Sequence, residues 1–180
     1  MSVVVYAADK LNHREQAHGL LLRAAHETWN FKELPSIDRT ADGKPFFSDH
    51  PDHHFNLSHS GALALCALDS APAGADIQIV KDSWRDALPL RVCSPNELEW
   101  LKEQCDFWPS FTLLWTLKEA RAKYTGTGLK SGVRGISVPL PIPEQSLYRH
   151  DGLWFRIYTG EGWKAAVCGE TEPPEQLIWV

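Results

Sequence analysis

Polar and apolar positions along the chain follow two periods, and the changes between them mark its elements. Ala17, Leu20, Leu21 and Ala24 recur at three- and four-residue spacing and predict a helix over 13–29. Leu113, Leu117, Ala120 and Tyr124 do the same over 111–124, a stretch free of Pro and Gly that ends near Gly126. On another face of that helix Trp115, Glu119 and Lys123 repeat every four residues, with Lys118 about 100° round the axis from Glu119. Ser94-Pro-Asn-Glu97 has Ser at an N-cap, Pro at the first helical position and Glu at the third, and predicts a helix to about Cys105. A shorter helix is predicted over 84–90, and strands over 3–6, 135–138, 153–158 and 163–168. Apolar runs at 62–68 and 74–80 flank Asp69-Ser-Ala-Pro-Ala73 and predict a β-hairpin; 153–168 predicts a second one. Each half reads as a helix followed by antiparallel strands. The expectation is an α+β fold, antiparallel strands packed on helices, made of two similar α/β halves, 1–80 and 81–180.

Composition narrows the function classes. The 180 residues are 43% hydrophobic and 23% charged, enough for a real core. A formal net charge of −5 argues against non-specific nucleic-acid binding, so an anionic ligand would need a local basic patch. No apolar run approaches the roughly 20 residues of a membrane span, and the N-terminal stretch lacks the basic and long apolar regions of a signal peptide. The four cysteines show no C-x-x-C spacing, and Cys66 and Cys168 lie in apolar runs as core residues. These features suit a cytoplasmic protein with reduced thiols.

Four stretches could carry chemistry. Alternation places Asp76 and Gln78 on one face of the 74–80 strand and Ile77 and Ile79 on the other, and an acid there suits a hard metal ion or a strand-end cap. Asn56, Ser58, His59 and Ser60 precede Gly61, where short donors and a permissive backbone suit phosphate oxygens, or make a polar turn. Asp42-Gly43 is a turn signal, and Pro45 keeps Lys44 extended, in a loop that is either solvated or ligand-facing. Glu119 with Lys123 is a catalytic pair or an ordinary surface ion pair. His50, His53 and His54 lack a fourth ligand at zinc spacing, and no G-x-S-x-G surrounds Ser58 to support a hydrolase triad with His59 and Asp76.

Taken together, Gly43-Lys-Pro, Phe55-Asn-Leu-Ser-His-Ser, Gly74-Ala-Asp-Ile-Gln and Trp115-Thr-Leu-Lys-Glu-Ala-Arg-Ala-Lys resemble, in order and spacing, the 4′-phosphopantetheinyl transferases of the larger Sfp type. The resemblance covers about residues 13–168. It implies two α+β halves related by a pseudo-twofold, with coenzyme A in the cleft between them. It implies transfer of the phosphopantetheine arm of CoA to a serine of an apo acyl or peptidyl carrier protein, with release of 3′,5′-ADP. It places magnesium on Asp76 and Glu119, with Gln78 or a water completing the set. Lys118 and Lys123 would then stand near the pyrophosphate and the proton transfer. Lys44, Ser58 and His59 would contact the CoA phosphates, Arg14 would lie near the nucleotide, and Glu97 would be an acid near the metal.

The chain departs from the family pattern at Gln78, where a third carboxylate is common, and in its short stretch before His13, which leaves the 3′-phosphate to Arg14, Lys10 or Arg23. Two packed halves in one chain suggest a monomer. A CoA-binding relative with weak or lost transfer, and a magnesium-dependent phosphohydrolase, are the competing expectations.

Overall fold

The computed structural model describes residues 3–11, 16–83, 87–128, 132–142 and 146–180. Strand β1 (Val4–Ala8) leads to helix α1 (Gln16–Trp29), a small hairpin of β2 (Ile37–Arg39) and β3 (Pro45–Phe47), and then β4 (His54–Ser60), β5 (Leu63–Asp69) and β6 (Ala73–Ile79). Helices α2 (Leu88–Val92), α3 (Pro95–Lys102) and α4 (Phe107–Thr125) follow, with a 3-10 turn at Val133–Gly135. Strands β7 (Leu147–His150), β8 (Leu153–Gly160), β9 (Trp163–Gly169) and β10 (Ile178–Trp179) complete the chain. The fold is mixed α+β, with one sheet ordered β10-β1-β5-β4 and another β6-β9-β8-β7, every pairing within them antiparallel except β1 with β10.

The core lies in three sheets of contact that make four layers. Helix α1 buries Ala17, Leu20 and Leu21 against Cys66 and Leu68 on the outer face of the first sheet. The inner faces meet through Val5 and Leu65 on one side and Ile77, Tyr158 and Val167 on the other. The outer face of the second sheet receives α4 through Leu114, Leu117 and Ala120 against Phe155 and Ala166. Alternation explains why one strand feeds two cores: in β5, Leu65 and Ala67 face inward while Cys66 and Leu68 face α1.

Several expectations change. The 62–68 and 74–80 runs do not pair as a hairpin: β5 has both edges filled, by β1 and β4, so β6 crosses over and joins β9 in the second sheet. The strand expected over 135–138 is absent among the described residues, and a 3-10 turn precedes it; Pro139 and Pro141 remove ladder donors there. The helix expected at 84–90 is α2, and residues 84–86 lie outside the described ones. The capping box at Ser94 and the β8–β9 hairpin form as expected. Helix α4 is buried on more than its expected stripe, because the second sheet covers one side and α3 packs on it as well.

Candidate active site

The site is built around β6, which is bonded differently on its two edges. One edge pairs with β9 by backbone hydrogen bonds from Ala73 to Ile79. Along the other, the N–H groups of Ala75, Ile77 and Ile79 donate to side chains of β4: Asn56 Oδ1 at 3.0 Å, Ser58 Oγ at 3.4 Å and Ser60 Oγ at 3.1 Å. The two-residue period of a strand puts these three side chains on one face. Asn56, Ser58 and Ser60 are therefore rungs of a seam joining the sheets, and the stretch expected either as phosphate donors or as a polar turn runs as strand through Ser60.

Helix α4 lies directly on β6. A Cβ on Gly74 would collide with the Ala120 carbonyl oxygen and the Tyr124 nitrogen, so glycine is what allows this approach. Gly126 ends α4 in the left-handed conformation, with φ 76°.

These two contacts bring the expected pair together. Asp76 is 1% exposed. Its Oδ1 accepts from Ser58 Oγ at 2.6 Å and from Lys123 Nζ at 2.7 Å, and its Oδ2 accepts from Gln78 Nε2 at 3.1 Å. Lys123 also donates to Ser58 Oγ at 2.8 Å and to the Ala75 carbonyl at 3.2 Å. Asp76, Gln78, Glu119, Lys123 and His59 share the wall of one cleft of about 410 Å³, together with Lys81 and Trp115, which the sequence had not marked as site residues on their own. The i,i+4 repeat of Trp115, Glu119 and Lys123 is the signal that finds Trp115.

Burial, and next the negative charge of Asp76, push the Glu119 carboxyl up to about 7, with the Lys123 ammonium opposing them. Among the described residues, no side chain donates a hydrogen bond to the Glu119 carboxylate. A half-buried carboxylate held near a second one is short of positive charge, and both offer hard oxygens of the kind that magnesium takes. Asp76 and Glu119 thus fit such an ion as a two-carboxylate pair; no group of three or more His, Cys, Asp or Glu suited to a metal occurs among the described residues. Gln78, expected with a water as the alternative to complete the set, is already hydrogen-bonded at both ends of its amide. Its Oε1 accepts from Ser60 Oγ at 3.3 Å, and its amide nitrogen, not its oxygen, faces Asp76. The carboxylate accepts only, so the amide must present its donor to it.

Other expected residues fall elsewhere. Lys118 is 0% exposed and lies away from the cleft. Its ammonium pairs with Glu97 at 2.8 Å and donates to the carbonyls of Val92 and Val133 at 3.1 Å each. Glu97 also accepts from the Ser94 nitrogen in the capping box, so it is a partner of Lys118 and not an acid of the cleft. Lys44 Nζ donates to the Tyr124 carbonyl in the last turn of α4 at 2.7 Å, a favourable place for a cation, and burial holds its pKa below the usual lysine value. It borders a hollow of about 180 Å³ that shares Leu57 and Lys123 with the cleft. Lys10 and Arg23 line a separate hollow of about 260 Å³ beside α1, and Arg23 pairs with Glu27 at 2.8 Å. Arg14 lies outside the described residues.

Residues 72–168 match the 4′-phosphopantetheinyl transferase superfamily. The chain is 36% identical over 173 residues to a 4′-phosphopantetheinyl transferase of Bacillus subtilis, covering 87% of this chain and 75% of that one. It is 35% identical over 186 residues to the 4′-phosphopantetheinyl transferase Sfp of Bacillus subtilis strain 168, covering 93% and 81%. To the 4′-phosphopantetheinyl transferase gsp of Aneurinibacillus migulanus it is 36% identical over 136 residues, covering 70% and 54%.

Proposed function

The chain belongs to the 4′-phosphopantetheinyl transferase superfamily, and on that premise we propose that it transfers the 4′-phosphopantetheine arm of coenzyme A to a serine of an apo acyl or peptidyl carrier protein, releasing 3′,5′-ADP in a magnesium-dependent reaction. The observation that carries this is the meeting of Asp76, Glu119 and Lys123 in one cleft, from strand and helix positions 43 to 47 residues apart in sequence.

In this reading the serine oxygen bonds to the β-phosphorus while the bond from that phosphorus to the bridging oxygen breaks, and ADP departs with that oxygen. Asp76 and Glu119 hold the magnesium, which neutralises pyrophosphate charge when bound. Glu119 receives the serine proton, directly or through water, from the cleft wall that it shares with Asp76 and Lys123. Lys123 supports the charge that grows on the leaving phosphate. Ser58 and His59 on the cleft wall and Lys44 beside the adjoining hollow contact the CoA phosphates, and Arg14 lies near the nucleotide. Lys118 acts through structure, by tying α4 to Glu97 and to the turn at Val133.

The finer architecture belongs to the same proposal. The first sheet runs β1-β5-β4 beside α1, and the second runs β6-β9-β8 beside α4, which supports two halves related by a pseudo-twofold. Residues 1–80 would supply the CoA phosphate contacts and Asp76, and 81–180 the helix with Glu119. No described helix is long and apolar enough to cross a membrane. A monomer acting in the cytoplasm is the setting proposed.

Incubation with CoA, magnesium and an apo carrier protein, followed by mass spectrometry of the carrier, tests the reading. A mass gain of one phosphopantetheine arm is the expected result. Loss of CoA without labelling points to a phosphohydrolase, and CoA binding without turnover points to a relative that has lost transfer.

A further inference from the structure

The carboxylate expected to hold a divalent ion is already occupied by this chain's own donors. Asp76 Oδ1 takes Ser58 Oγ and Lys123 Nζ, and Oδ2 takes Gln78 Nε2. Asp76 is 1% exposed, so solvent does little to relieve that crowding. A dication held by Asp76 and Glu119 would stand close to the Lys123 ammonium on Oδ1, and in a half-buried site two neighbouring cations repel strongly. Lys123 can leave. Its side chain is 26% exposed, its stem is flexible, and its remaining contacts are one hydroxyl and one carbonyl.

We propose that Lys123 is a resident counter-cation on Asp76, displaced when a divalent ion binds, so that its ammonium becomes free to meet a phosphate once the ion is in place. The inference rests on the divalent-ion reading of the cleft given above. Asp76 is neutralised while the site is metal-free, which the seam between β4 and β6 requires of a buried charge. Gln78 works in the same direction: Ser60 fixes its Oε1, which keeps the amide donor on Oδ2. Reciprocity follows, because an anionic ligand that draws Lys123 away also clears Asp76 for the ion.

Calorimetric titration of the metal-free protein with magnesium chloride, in the absence of CoA and carrier, tests this on the wild type, Lys123→Met and Lys123→Gln. Both variants are expected to bind magnesium about tenfold tighter or more, a difference of about 1.4 kcal/mol. Equal or weaker binding overturns the exchange. Where the variants do not fold, nitrogen-15 NMR of lysine-labelled wild type decides. One protected ammonium signal is expected to lose its protection on saturation with magnesium while that of buried Lys118 persists, and an unchanged pair overturns the proposal. Neither measurement uses transfer. Carrier labelling with no affinity gain removes the exchange and keeps the transferase, whereas absence of magnesium binding in all three proteins removes the metal reading and the exchange together.

Discussion

Replacing Lys118 with methionine removes a charge that the fold has enclosed completely. The ammonium is 0% exposed, its partner Glu97 is 7% exposed, and they meet at 2.8 Å. Methionine fills much of the same volume, so the loss is electrostatic more than steric. It leaves the Glu97 carboxylate with the Ser94 nitrogen as a partner and strips the carbonyls of Val92 and Val133 of a donor. Breaking one side of a buried pair costs about 3–5 kcal/mol, about a fifth or more of the stability of an ordinary domain. Glu97→Gln in the same chain neutralises the orphan and still accepts from Ser94, so Lys118→Met with Glu97→Gln should recover about half of the loss. Urea unfolding of the wild type, both single variants and the double variant, followed by tryptophan fluorescence, measures the coupling. If Lys118→Met lies within about 1 kcal/mol of the wild type while the KM for CoA rises, the ammonium serves a phosphate and the placement argued from its burial is wrong.

Gly74→Ala drives a methyl into the backbone of α4 at Ala120 and Tyr124, and overpacking of that kind costs about 1–3 kcal/mol; the expected result is a lower unfolding midpoint together with lower carrier labelling, and an unchanged midpoint would show that α4 can move away freely. Glu119 has its folded-state pKa raised from 4.5 to about 7, so the metal-free folded chain keeps a proton that the unfolded chain releases, and stability falls as pH rises through that window. Glu119→Gln removes the effect: its melting temperature in chelator should match the wild type at pH 4 and exceed it at pH 8, by at most about 3 kcal/mol in stability, and a constant offset across pH contradicts the burial argument. Gln78→Glu withdraws a donor from Asp76 and adds a carboxylate, so the magnesium concentration giving half-maximal transfer should fall; an equal or higher requirement refutes the account of Gln78.

The face that carries Trp115, Glu119 and Lys123 was legible in the sequence because helical period alone fixes which side chains share a side, whatever the helix packs on. The Ser94 capping box and the β8–β9 hairpin were legible for the same reason, since their determinants lie within a few residues. Pairing of the apolar runs was not. Leu63–Asp69 and Ala73–Ile79 are both suited to a buried strand, and nothing local says that β1 and β4 will claim both edges of β5. Lys118 shows the limit most clearly. The resemblance places Lys118 near the pyrophosphate, and nothing local marks it as buried, since its partner Glu97 stands 21 positions back on another helix. Gln78 stands out in the sequence, but the direction of its amide depends on Ser60, which only the meeting of β4 with β6 brings near.

The bonds between β4 and β6 have a mechanical consequence. A rung of a backbone ladder yields only to a change in the backbone itself, but here each rung belongs to a separate side chain. The stiffness of the joint between the sheets can therefore be set one residue at a time. Ser60→Ala would leave the Ile79 amide without its acceptor at 3.1 Å and loosen the joint near Gln78, while the Asn56 rung on Ala75 stays closed. Amide hydrogen exchange at Ala75, Ile77 and Ile79 would report such changes rung by rung.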